Sequence, residues 1–163
     1  CWILSKNQCY FILKSVNQKM DKFIVGIDPD LTKSGVATGR KGKVEALYCL
    51  TMTELVEFFK QYQHSIKKVY LEAGWLNKKT SWHAQGTQKR GVAERTAYHV
   101  GQNHAVGMLI EQALKELKIN YVLIKPWEKK RNHEDFCKWT GWDISRRTNQ
   151  ETRDSACLIH GHF

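Results

Sequence analysis

The chain has 163 residues and a mass of 19.0 kDa, the size of one domain with a single substantial core. Its 26% charged and 42% aliphatic, aromatic and cysteine residues exclude a disordered chain, and no apolar run approaches the ~18 residues of a membrane span, which excludes an integral membrane protein. Lys and Arg number 26 against 16 Asp and Glu, and the resulting net charge of +10 favours a polyanionic partner.

Residues 1–19 read differently from the rest. They hold Lys6, Lys14 and Lys19 but no acid, and their apolar residues fall in two short clusters split by Lys6, Asn7 and Gln8, a poor signal-peptide core. Met20 directly precedes a strong strand pattern. The expectation is a non-native or disordered extension over 1–19 and one domain over 20–163. Without the three lysines of the extension the chain still keeps a net charge of +7. The five cysteines, Cys1, Cys9, Cys49, Cys137 and Cys157, form no C-x-x-C pair, and free thiols in a reducing cytosol are expected, hence a cytoplasmic location.

Phe23-Ile24-Val25-Gly26-Ile27 is a nearly continuous apolar run, as in a strand covered on both faces. Residues 35–39 and 44–48 follow across the turn Arg40-Lys41-Gly42, and the three segments predict an antiparallel meander. Thr51-x-x-Glu54 is a capping box, and Leu55, Phe58, Phe59 and Tyr62 repeat with helical spacing behind it. Lys68-Val69-Tyr70-Leu71 is a fourth strand ending at Glu72. The stretch from Ala73 to about Tyr98 has no clear period. Val106, Leu109, Ile110, Ala113, Leu114 and Leu117 predict a central helix over 104–117, and 121–124 a last strand stopped by Pro126. A basic, Trp-rich irregular segment follows, in which Trp127, Trp139 and Trp142 suit a small satellite core. Thr148-x-x-Glu151 then predicts the start of a final helix. The order β-β-β-α-β-α-β-α predicts one α/β domain with a mixed five-stranded sheet, the meander extended by parallel strands and flanked by helices.

Asp28 ends the first buried strand and Glu72 the fourth, and ligand sites of α/β sheets gather at such ends. Glu151 and Asp154, spaced i, i+3, share one face of the final helix. Taken singly, each acid has a plainer role, as a turn former, a cap or a solvated residue. Converging together, they would repel one another unless a divalent cation neutralised them. Carboxylate oxygens suit Mg²⁺, with Mn²⁺ as substitute, and a two-metal cluster hydrolyses phosphodiesters by in-line displacement.

Four segments resemble those of the RuvC-type Holliday junction resolvases, of the ribonuclease H-like superfamily. They are Val25-Gly26-Ile27-Asp28 through Ser34-Gly35-Val36-Ala37, Val69-Tyr70-Leu71-Glu72, Gly101-Gln102-Asn103 through Val106-Gly107, and Glu151-Thr152-Arg153-Asp154-Ser155-Ala156. The resemblance covers residues 23 to about 160, with the segments in family order. It implies a ribonuclease H-like fold in which Asp28 bridges two Mg²⁺ ions, Glu72 and Asp154 each complete one site, and Glu151 helps hold the second. The central helix 104–117 is implied as a homodimer face. This chain departs from the family in having Asp30 where Gly is usual, which adds a negative charge close to the metals.

Between Glu72 and the central helix lie Trp75, Lys78, Lys79, Trp82, His83, Lys89, Arg90 and Arg95 against one acid, Glu94, the mixture that a phosphate-tracking, base-stacking surface requires. Trp75 falls where the family carries an aromatic wedge, while packing on the helix beneath is the other reading for Trp75 and Trp82. Lys125, Lys129, Lys130 and Arg131 form a second basic region, and Arg146, Arg147 and Arg153 flank the final acids. His133, His160 and His162 match no zinc spacing.

The expected function is a Mg²⁺-dependent, structure-selective DNA endonuclease that resolves four-way junctions as a homodimer, with no membrane partner. Ribonuclease H-like cleavage of RNA–DNA hybrids, flaps or transposon ends is the alternative, and a non-catalytic nucleic-acid-binding module is a third reading. An ATPase of the actin and Hsp70 type needs two such domains, more than 163 residues supply.

Overall fold

The structure, a computed structural model, describes residues 22–77, 90–126 and 130–162. The expected 1–19 extension lies outside them. Five strands, β1 (Phe23–Asp28), β2 (Ser34–Arg40), β3 (Lys43–Leu50), β4 (Ile66–Glu72) and β5 (Tyr121–Ile124), form one sheet in the order β3-β2-β1-β4-β5. β1–β2–β3 is antiparallel, while β4 and β5 continue the sheet parallel to β1. The mixed sheet is the one the sequence predicts.

Alternation along β1 sets the two layers. Phe23, Val25 and Ile27 face a core built with Leu55 and Phe59 of α1 (Met52–Tyr62) and Ile110 and Leu114 of α2 (Arg90–Glu116). Ile24 turns the other way, into a second core with Phe136 and Cys137 of α3 (His133–Thr140), Trp142, and Ala156, Leu158 and Ile159 of α4 (Gln150–Ile159). By the same alternation Gly26 and Asp28 of β1, Gly35 of β2 beside buried Ala37, and Glu72 of β4 beyond buried Tyr70 lie on the α4 side.

Helix starts follow their caps. Thr51 and Glu54 form the expected reciprocal box, with the Thr51 hydroxyl accepting from the Glu54 N–H at 3.3 Å and the Glu54 carboxylate from the Thr51 N–H at 2.8 Å. The box expected at Thr148 and Glu151 does not form. Asn149 is the N-cap of α4, its side chain accepting from the Thr152 N–H at 2.9 Å. Thr148 instead accepts from Arg153 and bonds the His133 ring.

Two helical stretches exceed the expectation. α2 starts at Arg90 rather than near 104, and of its inward-reading residues Leu109 is 53% exposed, because the buried stripe runs through Val106, Ile110 and Leu114. α3 occupies the segment read as irregular, capped by Asn132 and ended by Gly141 at φ 72°. Trp142 is buried in the second core, as the satellite-core reading has it, whereas Trp127 lies outside the described residues.

Candidate functional site

Two glycines bring the acids together. Gly35 is the cross-strand partner of Asp28, and a Cβ on it would strike the Glu151 backbone carbonyl. A Cβ on Gly26 would strike the carbonyl of Ser155. Bare backbone at both positions lets α4 lie directly on β1 and β2, which points its first two turns at Asp28. Glu72 ends the neighbouring parallel strand one step beyond the Ile27–Leu71 pair. The convergence of three distant segments therefore follows from strand alternation and a close helix–sheet approach.

The electrostatics record that convergence. Burial, then the negative charges of Glu72 and Asp154, push the Asp28 carboxyl up to about 8; Lys130 offsets part of this and Glu151 adds a little. Burial and then Asp154 push Glu72 up to about 7, again against Lys130. Asp154 is bound on both oxygens: Oδ1 accepts from Gln150 Nε2 at 2.6 Å, and Oδ2 lies 3.7 Å from Lys130 Nζ. Among the described residues no three His, Cys, Asp or Glu side chains are arranged to hold a metal ion as they stand. The donor set nonetheless suits a hard divalent cation, because it consists of carboxylates drawn from water that repel one another, with Lys130 in partial compensation. Glu151 sits at the margin, lining a cleft of about 520 Å³ with Asp30, Thr32, Lys33, Cys49 and Asn149.

Asp30, where the family pattern has Gly, builds the β1–β2 turn. Its Oδ1 accepts from the Thr32 N–H at 2.9 Å and the Thr32 hydroxyl at 2.7 Å. Partial burial raises its pKa, but these bonds and one from Lys33 outweigh that and hold the carboxyl below its usual range. Asn103 of α2 closes the turn from outside, accepting from the Leu31 N–H at 3.2 Å.

Of the expected nucleic-acid contacts, Lys78, Lys79, Trp82, Lys89 and Lys129 lie outside the described residues. Lys125 is exposed one residue beyond β5, whose Ile124 pairs with Glu72. Lys130 is exposed beside Asp154, Arg95 is exposed on the outer half of α2, and Arg90 opens that helix. Trp75 is half-buried, its ring directly over Gly107 of α2 and edge-on to His104 at 6.4 Å. Among the described residues Arg153 meets no acid in a salt bridge; it donates to the carbonyls of Arg131 and Thr148 and to Gln150 Oε1. The histidines are packed or hydrogen-bonded: His162 stacks on Tyr70 at 4.7 Å, His160 meets Trp139 and His133 bonds Thr148. Sequence reasoning missed Gln150 and the two helix-seating glycines. The i, i+4 spacing of Gln150 and Asp154, and glycine two residues before Asp28 in a strand, were the available signals.

No protein-family model matches the sequence, and no curated protein matches it. Among solved structures, RuvC of Thermus thermophilus in complex with a Holliday junction substrate superposes with a TM-score of 0.53 at 14% identity, covering 84% of this chain and 90% of that one. A second Thermus thermophilus RuvC structure gives 0.50 at 12% identity, with 83% and 90% covered. The fold is that of the RuvC-type resolvases. On this fold, the helix that carries Glu151 and Asp154 lies against the C-terminal ends of the adjacent inner strands β1 and β4, which carry Asp28 and Glu72. Among the described residues no helix is long and apolar enough to cross a membrane.

Proposed function

We propose that residues 20–163 form a divalent-metal-dependent endodeoxyribonuclease that cuts branched DNA, with the four-way junction as substrate, acting as a homodimer. The observation that carries this reading is the burial of Asp28 and Glu72 in one another's field and that of Asp154. A protein that only binds DNA gains nothing from gathering negative charge where phosphates must approach, and that charge becomes useful when cations bridge it to the phosphate.

Asp28, central in the group, would be shared by two ions, with Glu72 and Asp154 each completing one side and Glu151 supporting the second. Bound Mg²⁺ or Mn²⁺ would supply a lowered pKa for the attacking water and charge stabilisation at the scissile phosphate. Lys130 neutralises part of the acidic field, and with a cation held by Asp154 its ammonium would be released to meet the phosphate. Gln150 holds the Asp154 carboxylate in place from one turn away. Lys125, Lys129 and Lys130, together with Trp75, Lys78, Lys79, Trp82, Lys89, Arg90 and Arg95, are the proposed DNA contacts. The junction complex of the structurally similar RuvC supports a branched substrate.

The reading is tested by incubating the protein with Mg²⁺ and, separately, a synthetic four-way junction, a flap, a linear duplex and an RNA–DNA hybrid. Paired nicks confined to the junction are expected, and Asp28→Asn should lower their rate at least ~1,000-fold while leaving junction binding intact. Preferential cutting of the hybrid or flap would assign a different substrate, and binding without cutting a non-catalytic module.

A further inference from the structure

The turn between α3 and α4 is built more firmly than a connection needs. Asp143 Oδ1 accepts from the Ser145 N–H at 2.9 Å and from its hydroxyl at 2.8 Å, and the Arg146 N–H closes the turn onto the Asp143 carbonyl at 3.0 Å. Two side chains of the protein body hold it from below. Buried Trp142 donates its indole N–H to the Arg146 carbonyl at 3.2 Å, and His133 Nε2 lies 3.0 Å from the Ile144 carbonyl. A carbonyl only accepts, so Nε2 carries the proton.

The residue at the tip is Ile144, 61% exposed. A β-branched side chain has few rotamers to lose, so an isoleucine on a braced turn is a stiff apolar projection. Arg146 and Arg147 beside it are exposed, and the Arg146 guanidinium lies 4.2 Å from the centre of the Trp142 ring, which orders it while leaving N–H donors free. The only acid in the turn, Asp143, accepts both bonds from Ser145 and also lies in the field of Arg146. Ile144 precedes Glu151 by seven residues, so the tip lies within about 25 Å of that acid, the fully extended reach of the chain.

We propose that the turn 143–147 is a second DNA-contacting element, in which Ile144 packs against a base face exposed at a branch point while Arg146 and Arg147 hold the flanking phosphates. Apolar side chains flanked by cations are used in this way to enter unstacked base steps. The inference rests on the nucleic-acid reading above and deepens it.

The test uses the full chain with Ca²⁺ in place of Mg²⁺ and a four-way junction carrying 2-aminopurine at the branch, with a linear duplex as control. Ile144→Ala, an exposed substitution, should retain the wild-type melting temperature, lose most of the branch-point fluorescence change and weaken junction binding roughly 3- to 10-fold with duplex binding unchanged. Replacing Arg146 and Arg147 together by Ala should weaken both DNAs and reduce the slope of log affinity against log salt by about 2. If the wild type binds junctions and both variants match it, the turn is no DNA contact and this inference alone falls. If the wild type binds neither DNA, the nucleic-acid reading falls with it. An Ile144→Ala effect on self-association without one on DNA would also overturn the inference.

Discussion

Asp28 is the residue on which the electrostatics turn. Its carboxyl stands at about 8 in the folded protein against 3.8 in an unfolded chain, and Glu72 at about 7 against 4.5. An acid whose folded pKa is raised contributes its stability below the unfolded value and loses it as pH rises through the folded one. The metal-free protein should therefore lose stability between about pH 4 and pH 8 from these two groups, a drop in melting temperature on the order of 5 °C or more. Mg²⁺ should restore little at pH 5 and most at pH 8.5, and Asp28→Asn should flatten the metal-free profile. Thermal scans in chelator across this range check it, and a wild-type profile already flat would contradict it. The acids themselves were legible in the sequence, because two end strongly apolar strands and two share a helix face. Asp30 was not, because its role depends on hydrogen bonds to Thr32 that spacing does not disclose.

Among the elements, α4 decides whether there is a site. Its seating depends on Gly26 and Gly35, so Gly26→Ala forces a methyl into the Ser155 carbonyl and should lift the helix from β1. The expected result is a loss of roughly 1–3 kcal/mol in urea unfolding together with weakened Mn²⁺ binding. Unchanged Mn²⁺ affinity in a folded Gly26→Ala protein would detach the acids from helix seating. The five strands could be read from sequence because each is a short segment rich in strand-forming residues and set off by turn residues or a helix cap. α3 could not, since an eight-residue helix lacks the length to be stable alone and owes its existence to the Asn132 cap, the Gly141 stop and the burial of Phe136 and Cys137. The first third of α2 was equally hidden. Apart from half-buried Thr96 and Val100, the described side chains between 91 and 101 are exposed, so they show no apolar face from which a period could be read.

At the scale of the whole molecule, the exposed helix is the face on which the proposed homodimer would pair. α2 is 27 residues and about 40 Å long, and Tyr98, Met108 and Leu109 lie open on it at 65%, 48% and 53% exposure. The proposed paired incision would also require two active sites. Light scattering should give twice the chain mass for the wild type, and the double substitution Met108→Glu with Leu109→Glu should give monomers that nick junctions singly. A wild-type monomer that still makes paired cuts would refute the dimer. The most direct test of the account is a crystal structure of the protein with Mn²⁺, phased to show anomalous scatterers. Two peaks roughly 4 Å apart are expected, both reached by Asp28, with Glu72 on one and Asp154 on the other. Manganese bound elsewhere, or a well-ordered set of these side chains with none beside it at millimolar concentration, would contradict the claim that acids from three distant segments make one metal-binding pocket.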